Sequence, residues 1–143
     1  AYPPYVQYPV SVSVPAASSI TEQQAAVDNL AAQYVNTVFV MGELINPELV
    51  AYLASKEMRV ISDAFPSPEN SPNWVATISR DVLPGIQQIW PSLLGGEGGK
   101  LIETGLILED VNPAWLSPGR QQYVEEIITE INEGKIDNGA DRN

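Results

Sequence analysis

The chain has 143 residues, of which 44% are hydrophobic and 17% charged, the size and composition of one folded domain with a real core. Seven Lys and Arg against 18 Asp and Glu give a formal net charge of −11, which makes nucleic acid and anionic membranes poor partners. The sequence has no Cys and no His, which excludes Cys/His metal sites, catalytic triads and thiol chemistry. No apolar stretch reaches the roughly 18–20 residues that span a bilayer, and no signal peptide is visible, so we expect a mature, trimmed or partial chain.

The amino-terminal part predicts an extended arm, a strand and a helix. Residues 1–9 hold three Pro and three Tyr, which favours an extended arm or linker, or alternatively a hinge strand. Residues 10–14 alternate Val and Ser, the pattern of a strand. A helix then opens with a capping box, either Ser19 with Glu22 or Thr21 with Gln24. Its apolar stripe is Val27, Leu30, Ala31 and Tyr34.

The next stretch predicts a strand–helix–strand unit. Residues 37–40 are apolar or β-branched at consecutive positions, which predicts a central strand of the sheet that is buried on both faces. Asn46-Pro47 predicts a helix start, with Asn as the cap and Pro in the first turn. Residues 59–62 predict a second strand, and the two strands are expected to be parallel. Gly42 and Asp63 then lie at strand carboxyl ends, where open α/β sheets bind ligands.

The second half predicts two further strands and two helices. A Pro-rich loop over residues 64–74 is followed by a strand over 75–79 and a helix from Val82 to Leu94 with the stripe Val82, Ile86, Ile89 and Leu93. Residues 100–108 predict a last strand, or a hairpin pinched at Thr104-Gly105. A final helix is capped by Ser117-Pro118 and ends at Gly134, and residues 137–143 are expected to fray. The whole predicts one α/β domain over residues 10–136: a three-layer α/β/α sandwich with a mainly parallel, flavodoxin-like sheet of about four or five strands.

Five residues near the predicted carboxyl edge of the sheet are candidates for ligand contacts, and three of them have an alternative role. Asp63 would accept hydrogen bonds from vicinal hydroxyls, or else bond its own loop backbone. Arg80 would neutralise Asp63 or bind a ligand carbonyl or anion, or else pair with Asp81 or a surface Glu. Gly42 would let a ligand approach the backbone, or else only make the turn. Phe65 and Trp74 would stack on a base, whereas Trp90, on a helix, favours core or interface. The first five are therefore the candidate ligand-binding set.

The chain is not expected to be an enzyme, and no cofactor or metal is expected. Four carboxylates fall near the same predicted edge, at Glu43, Asp63, Glu69 and Asp81. A hydrolytic pair needs two of them to face each other across about 5–9 Å, and nothing in their spacing requires it. Without His or Cys the remaining acid–base repertoire is thin.

The ordered elements resemble the second lobe of type 1 periplasmic binding proteins, and more closely the basic membrane protein family of nucleoside-type receptors. The resemblance covers about residues 10–136. Its motifs are the turn at Gly42, the strand ending in Asp63, the segment Ala76-Thr77-Ile78-Ser79-Arg80, Leu116-Ser117-Pro118 and Gly134-Lys135-Ile136. The chain departs from the family where Glu43-Leu44 follows Gly42 in place of further Gly, and where Arg80 replaces the usual Lys. The family's first lobe is missing from this sequence.

The resemblance implies a function, partners and a location. It implies the carboxy-terminal solute-binding lobe of an extracytoplasmic receptor, a lipoprotein in full length, that feeds an ABC importer and binds a nucleoside or similar hydroxylated molecule. In that family the Asp at the position of Asp63 takes a ligand sugar hydroxyl. Expected partners are the small-molecule ligand, the transporter permease, a first lobe or second chain, and a second copy in a homodimer. The alternative is a stand-alone flavodoxin-like module that acts through protein–protein association without a small-molecule site.

Overall fold

The computed structural model describes residues 9–65, 72–99, 101–102 and 104–136. The predictions for residues 1–8, Glu69, Lys100 and 137–143 lie outside the described residues. The order of elements is α1 (Ile20–Ala32), β1 (Thr37–Val40), α2 (Pro47–Ser55), β2 (Arg59–Ser62), β3 (Trp74–Asp81), α3 (Leu83–Leu94), β4 (Gly105–Glu109) and α4 (Pro118–Asn132). A short 3₁₀ turn, Gly42–Leu44, joins β1 to α2.

The described strands form one open mixed sheet in the order β1-β2-β3-β4. β1 pairs parallel with β2 and β2 parallel with β3, whereas β3 and β4 are antiparallel. The α/β class is therefore confirmed, and the sheet is compatible with a flavodoxin-like fold. The prediction that residues 37–40 form a central strand is wrong for the described residues, because β1 is an edge. The predicted strand over residues 10–14 is also wrong: the segment is irregular, and within the described ranges it makes no backbone hydrogen bond to β1.

Helix starts follow the local capping signals. Of the two capping boxes, the one with Ser19 forms: its hydroxyl accepts from the Glu22 N–H, and the Glu22 carboxylate accepts from the Ser19 N–H at 2.7 Å. The Glu22 carboxylate also accepts from the Ser19 hydroxyl at 2.8 Å. The hydrogen bond from the Ser19 N–H, followed by that from the Ser19 hydroxyl, lowers the pKa of the Glu22 carboxyl. The Asn46 side chain accepts from the Leu49 N–H at 2.8 Å with Pro47 in the first turn of α2. Both starts depend only on residues three apart, which is why the sequence reveals them.

The hydrophobic core lies between one face of the sheet and helices α1 and α2. Strand register puts Val38, Val60 and Trp74 side by side on that face. Against them pack Val27 of α1, Leu49, Val50 and Leu53 of α2, and Met58. On β1, Val38 is 7% exposed but its neighbour Phe39 is 55% exposed. The prediction that this strand is buried on both faces is therefore wrong, because Phe39 points to the face that α1 and α2 do not cover.

Helix α3 leaves its apolar residues uncovered. Val82, Ile86 and Leu93 of the predicted stripe are exposed, and so are Leu83, Trp90 and Leu94. Only Gly85 of α3 is buried. It packs closely against Ile102, since a Cβ added at Gly85 would lie 2.7 Å from the Ile102 side chain. The amphipathic pattern correctly predicts a helix, but only Ile89 of the stripe is even half-buried.

Strand β4 is the other edge of the sheet and is capped by a side chain of α4. The Asn132 amide accepts from the Leu106 N–H at 2.7 Å and donates to the Leu106 carbonyl at 2.9 Å. The Asn132 side chain thereby makes the two backbone hydrogen bonds that a neighbouring strand would otherwise make with Leu106. Exposed strand edges are often covered in this way. The strand predicted over residues 100–108 begins only at Gly105 and continues to Glu109.

Candidate functional site

Gly42 and Asp63 meet where β1 and β2 end. Because Val40 pairs with Ser62, the next residues of the two parallel strands emerge at the same edge of the sheet. The Gly42 N–H donates a hydrogen bond to Asp63 Oδ1. A Cβ at Gly42 would lie 2.7 Å from Asp63 Oδ1 and 2.8 Å from the Ala64 Cβ. Position 42 therefore requires glycine, because Asp63 and Ala64 at the end of β2 lie too close for a side chain. The hydrogen bond to Asp63 also holds the turn at Gly42 in place.

The Asp63 carboxylate is exposed but held by its neighbours. Ser62, which is fully buried, donates to Asp63 Oδ1 at 3.5 Å and accepts from the Ala64 N–H at 3.2 Å. Among the described residues, nothing hydrogen-bonds to the second oxygen, Oδ2. One oxygen therefore holds the carboxylate to the protein, and the Asp63 side chain as a whole is exposed.

The two aromatic candidates pack against each other. The rings of Phe65 and Trp74 are 5.1 Å apart at an angle of 83°, an edge-to-face contact. Trp74 begins β3 rather than lying in the preceding loop, and it is 1% exposed. Its indole N–H donates to the Thr77 hydroxyl at 3.3 Å. Trp74 is therefore part of the core beside the site, and neither face of its ring is open to a ligand. Phe65 is half-buried and lies closer to solvent.

Arg80 does not join this group. It is exposed near the end of β3 and pairs in register with Leu106. Thr77 lies opposite Ser62, so Arg80 is three residues further along β3 than the end of β2. No ion pair of Arg80 occurs within the described part of the chain.

The other predicted carboxylates lie on different elements. Glu43 lies in the 3₁₀ turn, and Asp81 ends β3 opposite Gly105 of the antiparallel edge strand. Glu69 is outside the described residues. Within the described ranges no group of three or more acidic side chains is placed to hold a metal ion.

A buried hydroxyl beside the site was missed by sequence reasoning. Thr77 is 3% exposed; it accepts from Trp74 and donates to Asp110 Oδ2 at 2.8 Å. Asp110 has φ +48, a left-handed conformation that Asp tolerates better than most residues. The network joins β3 to the end of β4 and stiffens the strand next to Ser62. Thr77 was named only as part of a motif, and nothing local marks it as the buried polar residue of a strand that also contains Ser79 and Arg80.

We compared the chain with protein-family profiles, curated proteins and solved structures, and none of them matches it. Across the described residues, no helix combines the length and the apolar character that crossing a bilayer requires.

Proposed function

We propose that this chain is one lobe of a two-lobe solute-binding receptor, the carboxy-terminal lobe of an extracytoplasmic protein that serves an ABC importer. Its ligand would be a nucleoside or another small molecule rich in hydroxyl groups. The observation that carries the proposal is the exposed Asp63 carboxylate at the carboxyl end of β2, held through one oxygen by the Gly42 N–H. Ligands of open α/β sheets bind at this end of the strands.

The arrangement of Asp63 suits recognition of hydroxyl groups. A carboxylate can accept two hydrogen bonds from vicinal hydroxyls, and such charge-assisted bonds are about twice as strong as neutral ones. Because the protein backbone already orients the carboxylate, less conformational freedom is lost when the ligand binds. In this proposal Phe65 contacts the base of the nucleoside. Arg80 contacts a polar group of the same ligand further along the cleft between the two lobes.

The proposal includes a three-layer arrangement and a cleft that a first lobe completes. Phe39, Ile61 and Ile78 share the face opposite α1 and α2, as strand register requires. Helices α3 and α4 would form the layer on that face. A ligand would be enclosed only between two lobes, as in hinged binding proteins, which is consistent with a lobe whose Asp63 is open to solvent.

A second candidate function is association without a small-molecule site, and α3 favours it. The helix carries no charged residue in a chain of net charge −11. Contiguous apolar surface of this kind marks interaction sites. The first function uses Asp63 at the end of β2 and the second uses α3, which follows β3, so a test of ligand binding at Asp63 distinguishes them.

Two substitutions at Asp63 separate its binding role from its structural role. With the lobe joined to its first lobe, Asp63→Asn and Asp63→Ala should both weaken nucleoside binding by about 1.5–3 kcal/mol, roughly ten- to a hundredfold. Asp63→Asn keeps an acceptor oxygen for the Gly42 N–H, so its melting temperature should stay near that of the wild type. Asp63→Ala should melt lower. Titration calorimetry and thermal melts provide the two measurements.

A dideoxy nucleoside is the matched control ligand, because it keeps the base and lacks the vicinal hydroxyls. The wild type should bind it as weakly as Asp63→Ala binds the full nucleoside. Equal affinity for both ligands, or binding that survives both substitutions, would show that Asp63 does not take hydroxyls.

A further inference from the structure

Ser62, the last residue of β2, is the most deeply buried polar residue in the described part of the chain. It is 0% exposed and lies between Val40 of β1 and Thr77 of β3, its partners in strand register. A buried hydroxyl has to find its hydrogen-bond partners within the protein. An apolar side chain at this position would avoid the cost of removing a hydroxyl from water, so the partners of Ser62 indicate what the hydroxyl does.

The Ser62 hydroxyl bonds to the two residues that follow it. Its oxygen accepts from the Ala64 N–H at 3.2 Å, and its O–H donates to Asp63 Oδ1 at 3.5 Å. The bond to Ala64 closes a tight turn directly after the strand, as Ser side chains do in other turns. The bond to Asp63 is at the long limit for a hydrogen bond, so the turn at Ala64 carries the larger part of the effect.

This turn holds Asp63 and Ala64 against Gly42 at the end of the neighbouring strand. Asp63 Oδ1 accepts from the Gly42 N–H as well as from Ser62, and a Cβ at Gly42 would lie 2.8 Å from the Ala64 Cβ. Each carboxylate oxygen can accept about two hydrogen bonds, and protein donors take both at Oδ1. A ligand hydroxyl that Asp63 binds is therefore left to Oδ2.

We propose that Ser62 is a positioning residue of the solute site, whose buried hydroxyl directs Oδ2 of Asp63 toward the hydroxyl groups of the ligand. The inference rests on the proposed function of Asp63 and deepens it, because it names a residue that sets the preference for hydroxylated ligands. Ser62 is fully buried and acts through Asp63 and Ala64. Without its hydroxyl, the turn and the carboxylate have more conformations, and binding has to offset the entropy of ordering them.

The first test needs no ligand and uses the chain alone. Hydrogen exchange followed by NMR reports how firmly Asp63 holds the Gly42 amide, and Asp63→Ala gives the exchange rate without that bond. In Ser62→Ala the Gly42 amide should exchange about five- to tenfold faster than in the wild type, the scale of one lost hydrogen bond. Ser62→Thr keeps the hydroxyl and should keep the wild-type rate, even where its extra methyl group lowers the melting temperature.

Thr77→Val is the matched control, because it removes a buried hydroxyl from the strand position opposite Ser62. The Thr77 hydroxyl bonds to Trp74 and Asp110, so its loss should lower the melting temperature and leave the Gly42 exchange rate unchanged. A general loosening of the sheet would instead speed exchange of the Gly42 amide equally in Ser62→Ala and Thr77→Val.

The second test measures binding, with the chain joined to its first lobe. Ser62→Ala should bind adenosine about five- to tenfold more weakly than the wild type. Dideoxyadenosine lacks the hydroxyls that Asp63 takes, so the wild type and Ser62→Ala should bind it equally. An equal loss of affinity for both ligands would make Ser62 a purely structural residue and overturn the proposal.

The two tests separate this inference from the proposed function. A Gly42 exchange rate that Ser62→Ala leaves unchanged, or that Thr77→Val raises as much, overturns the positioning role whatever the protein binds. A wild-type protein that binds adenosine and dideoxyadenosine equally overturns the proposed function of Asp63, and with it the role of Ser62 in hydroxyl preference. The exchange rate of Gly42 then still decides whether Ser62 holds the Asp63 carboxylate in place.

Discussion

Gly42 is the residue whose identity the fold constrains most tightly at the carboxyl edge. An added methyl group would lie 2.7 Å from Asp63 Oδ1 and 2.8 Å from the Ala64 Cβ, so one of these groups must move. We therefore expect Gly42→Ala to destabilise the protein by about 1–3 kcal/mol, the usual cost of overpacking. Urea denaturation with linear extrapolation measures it.

Gly119→Ala is the matched control for Gly42→Ala. A Cβ at Gly119 meets nothing within 4 Å, and Gly119 lies in the first turn of α4. Alanine there should be neutral or stabilising by up to about 1 kcal/mol. Equal changes in the free energy of unfolding for the two substitutions would mean that Asp63 and Ala64 move aside at no cost. The close packing of Gly42 against the end of β2 would then not contribute to stability.

Single residues could be predicted from sequence where their partners are close along the chain. Ser19 with Glu22, and Asn46 with Pro47, are such cases. Tyr34 and Glu57 show the limit: both follow a helix end in the left-handed region, at φ +60 and +57, where Gly is the usual signal. The contact between Gly42 and Asp63 spans 21 residues. The sequence predicts that both residues lie at one edge of the sheet, but no local pattern indicates that they are hydrogen-bonded to each other.

At the scale of elements, burial was harder to predict than helix or strand. Residues 37–40 form the predicted strand, yet an apolar run does not say what covers its second face. Phe39 is exposed on the face of the sheet opposite α1 and α2, and β1 is an edge among the described strands because residues 10–14 form no strand beside it. Trp74 shows the opposite error, since a residue predicted in a Pro-rich loop begins β3 in the core. Each outcome depends on packing between distant elements, which local patterns do not contain.

Helix α3 supports a prediction about association. Its exposed residues include Leu83, Trp90 at 56% and Leu94, and an uncharged surface allows two acidic copies to meet without like-charge repulsion. We expect the chain to form a dimer through this helix. Trp90→Glu should convert it to a monomer, because burying the new charge at the interface is costly. Sedimentation velocity over a concentration series measures the change.

Tyr123→Glu is the control for charge and exposure. Tyr123 is 64% exposed on α4, so its substitution adds the same charge to another surface. It should leave the dimer intact. A wild-type chain that sediments as a monomer at all concentrations, or a dimer that both substitutions dissociate equally, would contradict association through α3.

At the scale of the whole molecule, one ion pair bridges the two helices that cover the core. Lys56 Nζ, just after α2, lies 2.6 Å from Asp28 Oδ1 of α1, and the Tyr52 hydroxyl donates to the same carboxylate at 2.9 Å. The hydrogen bond from Lys56, followed by that from Tyr52, lowers the pKa of Asp28 below its usual 3.8. The same bond to Asp28 raises the pKa of Lys56 above its usual 10.5.

These two pKa shifts define the pH range in which the ion pair between Lys56 and Asp28 stabilises the fold. A carboxyl whose pKa is lower in the folded state stabilises the fold above its unfolded pKa, and this contribution is lost as pH falls through the folded value. An amine whose pKa is raised stabilises below its unfolded pKa, and the contribution is lost as pH rises through the folded value. Asp28→Asn should therefore lower the melting temperature by roughly a few degrees at most, constantly between about pH 5 and 9, with the difference vanishing in strong acid.

Glu133→Gln controls for the loss of one negative charge from an acidic chain. Its partner Lys135 is two residues away, at 2.5 Å, so this pair connects no separate elements. In a chain of net charge −11, removing any carboxylate relieves some repulsion, and Glu133→Gln should be neutral or slightly stabilising at pH 7. Concentrated salt should reduce the effect of Asp28→Asn, because both partners are partly exposed and therefore screened. Melts in which the two substitutions behave alike across the pH series would show that Asp28 acts only through net charge, and that packing of Leu49, Leu53 and Val27 alone holds α1 against α2.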